Sequence, residues 1–104
     1  MSFGLSEQHL STLLQIIAHQ LTEHQHPKLW IFGSRARATH RTYSDIDLLL
    51  TDCTTITTLQ MMHIKHAFEE SQLPYQIDLV LEDELATEYR SKVYAEKKLI
   101  HHFT

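Results

Sequence analysis

Apolar residues recur at helical spacing at Leu10, Leu13, Leu14, Ile17 and Leu21, behind a Ser6 suited to cap a helix and a Glu7 in its favourable first turn. Pro27 follows soon after, as a helix stop requires. Lys28–Phe32, with Trp30 and Ile31, reads as a short strand that Gly33-Ser34 breaks. Arg35–Ala38 is predicted as a short helix and His40–Ser44 as a loop. Asp45–Thr51 predicts a second strand, whose later part is continuously apolar, as a buried strand should be. Thr54 or Thr55 is the expected cap of a helix running to about Ser71. Met61, Ile64 and Phe68 mark one face of that helix, with Leu59 and Met62 beside it. Beyond Pro74, Gln76–Leu81 is a third expected strand, and Glu82–Glu96 a last helix with Leu85, Tyr89 and Val93 one turn apart. The tail, Leu99–Phe103, reads as a short strand or an ordered end. Helices and strands thus alternate, and the apolar stripes read as core.

Composition narrows this picture. At 104 residues the chain suits one domain, 1–104. Its formal charge of -4 lacks the basic footprint of a dedicated nucleic-acid binder. A lone Cys53 excludes a disulfide framework and a four-cysteine zinc site. No apolar run approaches the ~18 residues of a membrane span, and the start, MSFGLSEQHL, lacks the basic-then-apolar pattern of a signal sequence. A soluble, cytoplasmic protein without a membrane partner is expected. Nine histidines include His24-x-His26, His63-x-x-His66 and His101-His102, but no Cys or Glu completes a known zinc pattern around them. They read as scattered surface or half-buried residues.

Three acidic positions carry more information. Asp45 and Asp47 stand two apart at the head of an apolar strand, so period-2 geometry puts both carboxylates on one face. Asp78 lies inside another apolar strand, where a charge is expensive unless paired or metal-bound. If the two strands are neighbours, three carboxylates converge. Two like charges about 4 Å apart repel by about 4 kcal/mol at an effective dielectric of 20. A divalent cation removes that conflict, and hard oxygen ligands suit magnesium or manganese. Gly33-Ser34 ends one strand and opens a helix, a place where the backbone comes close to a ligand and free N–H groups hold a phosphate. Arg35 and Arg37 are near enough to supply positive charge. An anion site beside a carboxylate–metal site describes a nucleoside triphosphate bound with its metals.

The segment GSRARATHRTYSDIDLLL resembles the signature of the polymerase-beta-like nucleotidyltransferases, and the small size resembles their minimal nucleotidyltransferase (MNT) branch. The resemblance spans about residues 10–100. It implies an α/β (α+β) fold with a small mixed sheet flanked by helices. Gly33 and Ser34 would match the motif that cradles the triphosphate, Asp45 and Asp47 the paired metal ligands, and Asp78 the third carboxylate, which shares one metal and accepts the proton of the attacking hydroxyl. Two departures stand out. Relatives often carry glycine where this chain has Ala38, and Glu-Gly where it has Glu96-Lys97. They put local turns in question rather than the chemistry.

The reaction so implied is transfer of AMP from ATP to a hydroxyl with two magnesium ions, manganese being possible. Small MNT proteins resemble the antitoxin half of HEPN–MNT toxin–antitoxin pairs, in which a tyrosine of the HEPN ribonuclease toxin is adenylylated. The implied partner is a cognate HEPN toxin in a hetero-oligomer, with an apolar face around Leu85, Tyr89, Val93, Tyr94 and Phe103 as the candidate contact. A binding-only antitoxin and a free-standing small-molecule nucleotidyltransferase are the alternative readings.

Overall fold

The computed structural model describes residues 3–104. Four strands, β1 (Lys28–Phe32), β2 (Ile46–Thr51), β3 (Ile77–Leu81) and β4 (Lys98–His102), form one sheet in the order β3-β2-β1-β4. β1 runs antiparallel to β2 and β4, whereas β2 and β3 are parallel, so the sheet is mixed. A parallel pair needs a long crossover, and the helix α3 (Thr58–Glu70) supplies it. The remaining helices are α1 (Glu7–Gln20), α2 (Gly33–Ala36) and α4 (Thr87–Glu96).

The two faces of the sheet divide the work. Leu29 and Ile31 of β1, Ile46, Leu48 and Leu50 of β2, and Leu79 of β3 are buried in one core with Leu13 and Ile17 of α1 and Met61, Ile64 and Phe68 of α3. Alternation sends Trp30, Asp47, Leu49 and Asp78 to the opposite face. There Leu49 and Val93 are also buried, and Lys97, next after α4, lies over the Trp30 ring at 3.4 Å. The face carrying the candidate carboxylates is therefore the one that the end of α4 approaches.

Local chemistry explains the element ends. The Ser6 hydroxyl accepts the His9 N–H at 3.0 Å and opens α1 as expected. α3 begins later than Thr54 or Thr55 suggests, because Thr57 has Gln60 three residues on. The Thr57 hydroxyl accepts from the Gln60 N–H and Gln60 Oε1 from the Thr57 N–H, a reciprocal box the earlier threonines lack. Gln60 Nε2 also donates to the Gln20 carbonyl at 2.9 Å, tying the start of α3 to the end of α1. The expected continuous helix over 82–96 is broken. Glu82–Glu84 forms a single 3-10 turn, Glu84 Oε1 accepts the Leu81 N–H at 2.8 Å, and Leu85 and Ala86 are extended before α4 starts. The short helix after β1 spans Gly33–Ala36 rather than Arg35–Ala38, and Asp45 lies just outside β2. The tail is a strand: β4 pairs with β1, with an irregularity opposite Leu29 and Trp30.

The candidate contact face separates as well. Phe103 joins the core and Val93 is buried on the other face of the sheet, whereas Tyr89 and Tyr94 are exposed. Ala38 adopts φ +60°, so the turn that glycine often makes in the resembling proteins is kept here with a side chain in the left-handed region. Ala38→Gly should relieve that strain and stabilise the protein by up to about 1 kcal/mol. Urea unfolding checks it, and a midpoint at or below that of the wild type would refute it.

Candidate functional site

β2 and β3 pair in register, with Asp47 opposite Asp78. Neighbouring positions of parallel strands point the same way, so both carboxylates stand on the face away from α1 and α3. Asp45, two residues before Asp47, and Asp78 are exposed; Asp47 is half-buried. Burial first, then the nearby charges of Asp78 and Asp45, push the Asp47 carboxyl above its ordinary range. The register pairs Asp47 with Asp78, but the three carboxylates are not gathered as the sequence predicts. They do not close into a ready-made ligand set: among the described residues, no three His, Cys, Asp or Glu side chains are gathered as a metal cluster. Asp78 lies on the edge strand β3, Asp47 on the inner strand β2 and Asp45 in the loop just before it. Their hard oxygens and unrelieved charge fit a divalent cation.

Gly33 adjoins this group. Its φ is +75°, and a Cβ placed on it would collide with Asp47 Oδ2. Only glycine lets the turn pass so close to the carboxylate. The Gly33 N–H donates to Glu96 Oε1 at 3.0 Å, and Arg37 Nη1 donates to Glu96 Oε2 at 2.8 Å. One carboxylate at the end of α4 therefore holds both the first residue of the turn and its cation. Burial opposes the charge on Glu96, but the hydrogen bonds from Arg37 and Gly33 outweigh it and hold its carboxyl below the ordinary value. Ser34 is half-buried, and its carbonyl accepts the Thr39 N–H at 2.9 Å.

Arg35 departs from its expected role. It is 2% exposed. Its Nε and Nη2 donate to the Ser44 carbonyl, Nη2 also to Thr42, and Nη1 to Phe3, while the guanidinium carbon lies 4.8 Å from the Tyr75 ring centre. A guanidinium committed to three main-chain carbonyls holds the loop before β2 in place and offers no charge to a phosphate. Arg37, its side chain 44% exposed, is the cation that faces the carboxylates and tempers the Asp47 charge. Glu96 escaped the sequence reading as a site residue; the signal was an acid beside the last strand that could answer Arg37. Cys53 is buried, donates to the Leu50 carbonyl and has its thiol pushed up by burial, so it is inert. Among the described residues no histidine joins a metal cluster, and no helix is long and apolar enough to cross a membrane.

Residues 15–102 match the family described as polymerase beta, nucleotidyltransferase. A probable protein adenylyltransferase MntA of Haemophilus influenzae is 34% identical over 71 residues, 68% of this chain and 57% of that protein. The chain thus spans less than two thirds of that relative's length. The structure of a candidate minimal nucleotidyltransferase superimposes with a TM-score of 0.69 at 28% identity, over 96% of this chain and 97% of the other. A toxin–antitoxin structure with AMP-PNP (TM-score 0.67, 18% identity, 86% and 70% covered) shares the fold. So does a structure of the tri-AMPylated Shewanella oneidensis HEPN toxin with its MNT antitoxin (0.64, 15%, 91% and 71%).

The raised Asp47 pKa makes a prediction about stability. A carboxyl whose folded pKa lies above its unfolded value favours the fold while protonated, and that contribution is lost as pH rises through the folded pKa. Asp47→Asn should therefore melt higher than the wild type at pH 7 in chelator, and the gain should vanish below about pH 4, where both side chains are neutral. Paired thermal melts at the two pH values test this. A mutant that melts well below the wild type at pH 7 would show that the carboxylate is structural.

Proposed function

Because the chain belongs to the polymerase beta nucleotidyltransferase family, we propose that it transfers AMP from ATP to a protein hydroxyl, the acceptor being a tyrosine of a cognate HEPN toxin. The observation that carries this reading is Asp47 set beside Asp78 on an open sheet face, with Gly33 pressed against Asp47. The likeness to a probable protein adenylyltransferase supports AMP transfer, and the fold shared with an MNT antitoxin bound to an AMPylated toxin supports the partner.

Asp45, Asp47 and Asp78 are the proposed ligands of two magnesium ions, with manganese as a substitute. When bound, the metals would neutralise the triphosphate and sharpen the attacking hydroxyl. The chain's own residues do the rest. Ser34 and the Gly33 turn receive the β- and γ-phosphates, with Arg37 beside them. The acceptor oxygen forms a bond to the α-phosphorus, the bond from that phosphorus to the bridging oxygen breaks, and pyrophosphate carries the electron pair away. Asp78, exposed on β3, takes the proton of the acceptor hydroxyl.

Both Asp45 and Asp78 are exposed, which leaves them within reach of a bulky acceptor. The roomier hollows lie elsewhere, such as an apolar groove of about 400 Å3 between α1 and the His101–Phe103 end. An open site suits an acceptor presented by a folded partner, which would complete the enclosure.

Incubation with magnesium and ATP labelled on the α-phosphate, with and without the cognate HEPN toxin, tests the proposal. Label should appear on the toxin, and Asp45→Asn or Asp47→Asn should reduce it at least a hundredfold, about 2.7 kcal/mol of barrier. Complex formation without label would favour neutralisation by contact. Label on a small molecule alone would make the protein a free-standing transferase.

A further inference from the structure

The fold brings the Glu96 carboxylate to the Gly33 turn from the far end of the chain, across 63 residues to Gly33 and 59 to Arg37. Its presence there needs a reason. The neighbourhood already holds Asp45, Asp47 and Asp78, and Asp47 lies against the same Gly33 that Glu96 bonds. A fourth acid is tolerable because Arg37 balances it. The pair is asymmetric: the Glu96 side chain is 15% exposed and the Arg37 side chain 44%. Glu96 is the fixed half, lodged at the end of α4, and Arg37 is the half that reaches solvent.

Without Glu96, Arg37 has an obvious alternative. Gly33, which shares Glu96 with Arg37, lies against Asp47, and a free guanidinium is attracted to the carboxylates, where it would occupy the oxygens a metal needs. Held by Nη1, it keeps most of its five N–H donors available on the solvent side. The other Glu96 oxygen fixes the N–H of Gly33, whose Cα is packed against Asp47. The turn is pinned from two directions, by the carboxylate of β2 and by the carboxylate of α4.

We infer that Glu96 is a positioning residue for the triphosphate: by bridging the Gly33 N–H and Arg37 it sets the turn and aims the guanidinium at the β- and γ-phosphates instead of at the aspartates. This inference rests on the nucleotidyltransferase reading above and deepens it. Glu96 touches no reacting atom and acts through Gly33 and Arg37. Its effect is confined to the part of the nucleotide beyond the α-phosphate, and that separates positioning from general support of the fold.

Calorimetric titration with magnesium and AMP-PNP, and separately with AMP, tests it on the wild type, Glu96→Ala and Glu96→Gln. Glu96→Ala should weaken AMP-PNP about tenfold, about 1.4 kcal/mol, and leave AMP unchanged. Glu96→Gln still offers an oxygen to the Gly33 N–H but loses the negative charge that pairs with Arg37, and should lie between the wild type and Glu96→Ala. If Glu96→Ala does not fold, the Gln variant is read alone against the same two ligands. Unchanged AMP-PNP affinity, or an equal loss for both nucleotides, overturns the inference while the nucleotidyltransferase reading stands. A wild type that binds neither nucleotide overturns both.

Discussion

The pairing of Asp47 with Asp78 across two parallel strands is the constraint on which the rest depends. Parallel register places the two carboxylates side by side, and both point away from the apolar core. Each neighbour of the pair answers that placement. Gly33 is glycine because the Asp47 carboxylate leaves no room for a side chain. Arg37 supplies a nearby positive charge, and Glu96 holds Arg37 by its guanidinium. The repulsion that remains has no structural remedy among these residues, which is why a metal-loaded triphosphate is the proposed occupant of the face.

The sheet can carry such a charge because its other face supplies the stability. α1 and α3 cover a row of leucines and isoleucines, and the Gln60 side chain locks the two helices together where α3 begins. The second face is only partly covered. Val93 and Leu49 are buried there, Lys97 stacks on Trp30 and approaches Tyr94, and Tyr94 donates to Glu82. α4 is thus fastened beside the carboxylates rather than over them, leaving Asp45 and Asp78 exposed. Arg35 contributes from within, since its carbonyl contacts fix the loop from which Asp45 and Asp47 emerge.

Much of this was legible in the residues. The helix from Glu7, the strand Lys28–Phe32 and the two aspartate-bearing strands follow from apolar period and capping chemistry. That Asp47 and Asp78 come together follows if their strands are neighbours, but the parallel register that pairs them directly shows only in the structure. What escaped depended on contacts distant in sequence. Arg35 and Arg37 look alike two residues apart, and only the path of the loop over 40–44 decides that one is buried under carbonyls while the other meets solvent. Glu96 lies 59 residues from Arg37, so their contact became visible only with α4 in place. The break before α4 was hidden because Glu82–Leu85 is as compatible with a helix as with the single 3-10 turn that Glu84 stabilises. Thr57 prevailed over Thr54 and Thr55 as a cap through its spacing to Gln60.

The central claim is that the carboxylate face and the Gly33 turn form one site, completed by metal and triphosphate together. Thermal melting of the wild type in chelator, with magnesium alone, with AMP-PNP alone and with both measures this most directly. Magnesium sheds its waters reluctantly and recruits phosphates to its shell, so neither component alone should shift the melt appreciably. Together, at 100 times the dissociation constant, they should add about 2.7 kcal/mol, a rise of several degrees. A melt that the combination leaves unmoved, or that magnesium alone raises as far, would contradict the account.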